Sequence, residues 1–225
     1  MTSPRPIRVW DLPTRLFHWS LVLLVCFLWY SGGTTERLME WHFRAGYAVM
    51  ALVLFRILWG IWGSPWSRFS RFVASPRQGL AYAQQAWQQR RPPHAVSHNP
   101  LGGWMVLVLL AVLLLQTLTG LFSSDDISLF GPLSGLVSSS QSSTLTAIHH
   151  WNAELLWLLI TLHILAIVAH KVLGEPLVLA MITGIKRSHD PRVPDLPYVS
   201  LWRAALLLAL CGGMVAVIAS SAAWI

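Results

Sequence analysis

Of the 225 residues, 55% are hydrophobic and 11% charged, and 13 are tryptophan; a soluble domain of this length needs a larger charged surface, so the composition excludes one and predicts a polytopic membrane protein. The formal net charge of +7 raises nucleic-acid binding, but the cations lie in connectors where membrane topology accounts for them, and no nucleic-acid partner is expected. Cys26 and Cys211 stand alone in apolar runs without a Cys-x-x-Cys-His motif, which excludes thioether attachment of a prosthetic group and a thiolate metal site.

In chain order the apolar runs predict an all-α bundle of five spans. The polar stretch from Met1 to Arg15 and the lack of a small-residue cleavage site argue against a cleaved signal. Span one covers residues 16–30, with Asp11 or Thr14 as cap, Pro13 in the first turn, and Gly32 and Gly33 as its end. Span two runs from residue 39 or 41 to 62, where Gly63-Ser64-Pro65 stops it. A polar connector at 66–100 carries Arg68, Arg71, Arg77, Arg90 and Arg91, with a surface helix expected at 76–89. Spans three, four and five cover 101–122, 145–172 and 201–222.

Thirteen of the sixteen Lys and Arg fall on one side: Arg5, Arg8 and Arg15, the five arginines of the second connector, and Lys171, Lys186, Arg187, Arg192 and Arg203. Arg37 and Arg44 lie on the other side, and Arg56 is inside span two. The positive-inside rule then predicts an inner-membrane protein with a cytoplasmic N-terminus and a periplasmic Ala223-Trp224-Ile225 end. The Ser-rich loop at 123–144, with Asp125 and Asp126 and no cation, faces the periplasm.

Span four carries the feature on which a function can be built. His149 and His163 are 14 residues apart, a spacing that returns to within ~40° of one helical face after a climb of ~21 Å. His150 is ~140° off the face of His163 and points elsewhere. Ionisable residues in membrane spans are costly and suggest function, although a lone histidine is often only a satisfied packing residue. The topology puts His42 at the depth of His149, near the periplasm, and His18 at the depth of His163, near the cytoplasm. Two bis-imidazole pairs result.

Two neutral nitrogens with no carboxylate or thiolate leave a bare zinc, copper or nickel ion undercoordinated. Haem brings four ring nitrogens and asks only for axial ligands. Two bis-His haems saturate the iron, which favours electron transfer over oxygen binding. Gly46, one turn after His42, leaves room for the macrocycle or serves plain helix packing. Arg56, 14 after His42, either meets a haem propionate or a quinone oxygen or snorkels to the cytoplasmic surface. Arg44 is a weaker candidate of the same kind on the periplasmic side.

The segments Val9-Trp10-Asp11-Leu12-Pro13-Thr14-Arg15-Leu16-Phe17-His18-Trp19, Trp41-His42-Phe43-Arg44-Ala45-Gly46-Tyr47 and Leu54-Phe55-Arg56-Ile57-Leu58-Trp59-Gly60 resemble the bacterial cytochrome b561 and nickel-iron hydrogenase cytochrome b-subunit family. So do His98-Asn99-Pro100-Leu101-Gly102, the segment from Ile148-His149 to His163, and Ala180-Met181-Ile182-Thr183-Gly184-Ile185-Lys186. The resemblance implies two haem b groups held by His18, His42, His149 and His163. It also implies a quinone site near the cytoplasmic haem that would include His170, as a proton carrier or as an interface residue beside Lys171. A periplasmic redox partner, such as a c-type cytochrome or a hydrogenase, would exchange electrons with the quinone pool. A superoxide:quinone oxidoreductase is the enzymatic alternative, and a non-redox membrane protein with structural histidines is the third. Because the family commonly has four helices, residues 1–190 are expected to form the di-haem domain and 191–225 an added helix, for partner docking or packing. His94, His98 and His189 are expected to be solvated or packed in loops, with His98 also able to shape the cytoplasmic end of span three.

Overall fold

The structure, a computed structural model, describes residues 5–33, 36–90, 93, 95–125, 127, 129–188 and 190–221. His94, His189, Arg91, Asp126, the terminus from Ala223 and the side chain of Arg37 lie outside the described residues.

The elements are β1 (Arg5–Arg8), α1 (Leu12–Gly32), α2 (Glu36–Trp62), a 3-10 turn (Pro65–Ser67), α3 (Phe69–Phe72), α4 (Pro76–Gln89), α5 (Pro100–Phe122), a second 3-10 turn (Ser134–Leu136), α6 (Ser139–Val172), α7 (Leu177–Thr183), β2 (Ile185–Ser188) and α8 (Leu201–Ser220). The fold is all-α, and α1, α2, α5, α6 and α8 are long and apolar enough to cross a membrane. Much of their apolar surface faces outward, as Leu23, Trp151, Leu158 and Val217 show; a lipid-facing helix, unlike a soluble one, has no polar outer stripe. The chain is a multi-pass membrane protein.

Capping moves two helix starts outward from the expected bounds. Asp11, 1% exposed, accepts the Thr14 N–H at 2.9 Å and also the Trp59 indole N–H at 2.9 Å. It satisfies an orphan donor of the first turn, so α1 begins at Leu12. At α6, Ser138 and Gln141 cap each other: Gln141 N–H donates to Ser138 Oγ at 3.3 Å and Ser138 N–H donates to Gln141 Oε1 at 2.9 Å. The Ser-rich tail of the preceding loop thereby becomes the first turn of α6. The expected surface helix is α4, held by the Ser75–Gln78 capping box and ended by Arg90 at φ 50.

By its contacts the chain forms two compact units. One comprises Met1–Leu16, Leu58–Val108 and Ile160–Ala204. Here β1 pairs antiparallel with β2, Arg5 opposite Ser188 and Arg8 opposite Ile185. Ile7, Val9, Trp10 and Ala180 form its core, with Trp66, Val96, Met181 and Val193 packed on it. Gly184 (φ +82) accepts Val9 N–H at 2.8 Å and Trp10 N–H at 3.1 Å, and a Cβ there would meet the Trp10 carbonyl at 2.5 Å. Only glycine suits that place. The Trp104 indole donates to Ala74 O at 2.9 Å and lies over Gly79, fastening α4 to the start of α5.

The second unit comprises Phe17–Ile57, Leu109–Leu159 and Ala205–Ile225. Met50, Leu121 and Val215 are buried together, with Tyr47, Leu54, Phe122, Leu133 and Ile218 around them. Val215 turns one face of α8 into this core, and Cys211, four residues before it, is also buried.

Candidate functional site

The second unit contains a cavity of about 390 Å³. Leu28, Trp29, Phe43, Leu113, Leu156 and Trp157 supply its apolar wall, and His42 from α2 and His149 from α6 reach it. The two imidazole centres are 6.5 Å apart, with their planes at 68°.

Each ring is held at Nδ1, His149 also at Nε2, where the Gln116 side-chain amide lies 3.1 Å away. The Ser31 hydroxyl donates to Leu28 O at 3.2 Å and sits 3.0 Å from His42 Nδ1. The Leu28 carbonyl, which can only accept, also takes a hydrogen bond from the His42 imidazole, so the ring carries its proton on Nδ1 and Ser31 Oγ accepts beside it. His149 Nδ1 lies 3.0 Å from the Gln116 carbonyl, which can only accept. Both rings thus carry the proton on Nδ1 and leave Nε2 as the acceptor nitrogen, the second-shell arrangement that metal-bound histidines show. Two glycines let the imidazoles lie close to the backbone. A Cβ at Gly32 would stand 3.3 Å from His42 Cε1, and one at Gly120 would stand 3.0 Å from His149 Cε1.

The donor set suits haem. Among the described residues no three His, Cys, Asp or Glu side chains gather to hold a bare ion, whereas two facing imidazoles in an apolar slot are what a macrocycle needs. Two metal–imidazole bonds of about 2 Å, plus roughly 1 Å from each nitrogen to its ring centre, put the centres roughly 6 Å apart, close to the spacing seen. Gly46 lines the cavity, and a Cβ there would meet nothing within 4 Å.

The other candidates have different surroundings. His150 is exposed at the rim of the cavity, its ring 6.1 Å from that of His149. Arg44 is paired with Glu40 and lies over the Trp41 ring at 4.9 Å, away from the cavity lining. Arg56 is 3% exposed, so its guanidinium is packed within the protein. His18, in the second unit, packs edge-on against Trp19 at 5.1 Å. His163, in the first unit, is half-buried on α6.

Also in the first unit, His170 has both ring nitrogens engaged. Asn99 Nδ2 is 3.3 Å from its Nε2, and its Nδ1 is 2.8 Å from Glu175 Oε2. Gly102 N–H donates to Asn99 Oδ1 at 2.7 Å, which turns the Asn99 amide donor toward the ring. Lys186 is close to Glu175 and donates to Ala95 O at 2.7 Å; burial holds its ammonium below the ordinary lysine value while Glu175 pulls it back up. His98 is packed in its loop, 4.6 Å from the Trp10 ring and 4.2 Å from that of Phe72.

Ser31, Gln116, Thr119, Gly120 and Asn152 did not stand out in the sequence, and Gly32 only as the end of span one. The available signal was polarity within the spans, Gln116 in the last two turns of α5 and Asn152 three residues after His149.

The family model described as prokaryotic cytochrome b561 matches residues 9–184. No curated protein and no solved structure matches the chain.

Proposed function

This chain belongs to the prokaryotic cytochrome b561 family, and we propose that it carries electrons between a periplasmic redox protein, such as a c-type cytochrome or a hydrogenase-type partner, and the quinone pool. Membrane electron transfer with b-type haem follows from the family; the haem count, the ligands and the partners are our reading. Haem b, when bound, supplies a one-electron centre within the apolar bundle.

The observation that carries the reading is the pair His42 and His149, their rings 6.5 Å apart at an apolar cavity and both held at Nδ1. Ser31 and the Gln116 carbonyl hold the two protons away from the coordinating side. The apolar wall keeps water from competing for the ligand nitrogens. Sequence spacing alone assigns a second haem to His18 and His163. Arg56 would offer its buried charge to a propionate or to a quinone oxygen. His170, tied to Glu175, would hold or pass a proton near the quinone. The distribution of Lys and Arg supports a plasma-membrane location with the N-terminus in the cytoplasm.

The test is haem content and reduced-minus-oxidised optical spectra of the purified chain. Two haem b per chain are expected, with His149→Ala losing one and His150→Ala keeping both. Absence of extractable haem would end the reading, and loss of a haem in His150→Ala but not in His149→Ala would transfer the ligand role.

A further inference from the structure

One side chain in the cavity wall has no task in the function just proposed, yet its polar atoms converge on one ligand. The Gln116 carbonyl accepts His149 Nδ1–H at 3.0 Å, and its side-chain Nε2 lies 3.1 Å from His149 Nε2. Asn152, 5% exposed, donates to Gln116 Oε1 at 2.6 Å and to Val112 O at 3.0 Å. A donor on Oε1 sets the amide: oxygen toward Asn152, NH₂ toward the imidazole. An NH₂ group can only donate, so it takes the lone pair of His149 Nε2. That agrees with the proton on Nδ1, which the carbonyl requires independently.

Gln116 therefore addresses both nitrogens of one histidine, through its backbone and through its amide. A single lone pair cannot serve an amide N–H and a metal together. We propose that Gln116, oriented by Asn152, is a positioning residue that satisfies the buried His149 Nε2 and yields it to iron, so that the strength of this hydrogen bond sets how tightly His149 takes haem. The proposal rests on the His42/His149 site and says how its ligand is kept ready. A buried imidazole acceptor without a partner is costly, more so within lipid. The Gln116–Asn152 pair meets that cost without altering the tautomer needed for coordination. The tautomer does not depend on the side chain, because the backbone carbonyl of residue 116 holds Nδ1–H whatever the side chain is.

The test compares the full chain with Gln116→Met, which keeps length and volume but has no amide. Both are produced without haem in detergent micelles and titrated with hemin. The variant should bind haem at the His149 site about fivefold more tightly, the worth of one neutral hydrogen bond. Its loaded optical spectrum should match the parent's, and in the haem-free chain the imidazole ¹⁵N signal of His149 Nε2 should move toward that of an unbonded acceptor. Asn152→Leu, which frees the amide to turn, should give a smaller change of the same sign, and it serves if Gln116→Met does not fold. Unchanged or weaker haem binding in the folded variants would overturn the proposal. His149→Ala run alongside separates the two levels of argument: if it keeps both haems, the site reading fails, whereas if it loses one while Gln116→Met binds no tighter, only the role of Gln116 falls.

Discussion

Gly120 shows how much a missing methyl group decides at the scale of one residue. A Cβ there would stand 3.0 Å from His149 Cε1, tighter than ordinary contact, and the neighbouring Gln116 and Thr119 give the ring little freedom to retreat. Gly120→Ala should displace the imidazole, so that the spectrum of one haem shifts while the other is unchanged; an unaltered spectrum would mean that the ring has slack. Lys186 carries the pH dependence. Burial lowers its proton affinity in the folded chain, so the unfolded chain binds more protons in the window that ends at the ordinary lysine value, about 10.4. Stability to denaturant should therefore rise with pH through that window, and Lys186→Met should remove this contribution to the slope.

At the scale of elements, a spacing of 14 residues brings two side chains to one face only on an unbroken helix, and both helices concerned are unbroken. α6 runs from Ser139 to Val172 with His149 and His163 on it, and α2 from Glu36 to Trp62 with His42 and Arg56. Snorkelling does not describe Arg56, whose side chain is packed inside the protein. A buried cation near a redox centre favours the reduced form, which carries one more electron. Arg56→Gln should lower the midpoint potential of one haem more than that of the other, and equal shifts in a redox titration would detach Arg56 from either centre. The Ser138 cap is a separate matter of stability: Ser138→Ala should cost about 1 kcal/mol, read in thermal unfolding with haem content unchanged.

The whole molecule poses the question of the helix beyond the matched residues 9–184. Val215 is buried with Met50 and Leu121, while Trp202, Leu208 and Val217 face outward. Packing is thus at least one task of α8. Removing residues 201–225 should leave the His42/His149 haem spectrum in place and lower the thermal stability of the holoprotein. Loss of haem instead would make α8 part of the cofactor site.

Hydropathy and length were enough to determine the membrane class and the five spans, because the length and apolarity of a span are local properties of the chain. The helix start at Leu12 was partly legible through Asp11, whereas the start at Ser139 lies six residues before the expected one. The β1–β2 pair and α7 were not legible, since four or seven residues have no period to read and strand pairing joins Arg5–Arg8 to Ile185–Ser188 across most of the chain. Only the tertiary structure decided that Ser31, Gly32, Gln116 and Gly120 surround the two histidines and that Asn152 turns the Gln116 amide. Hydrogen-bond partners and close approaches depend on which helix faces which, and no single helix records its neighbour.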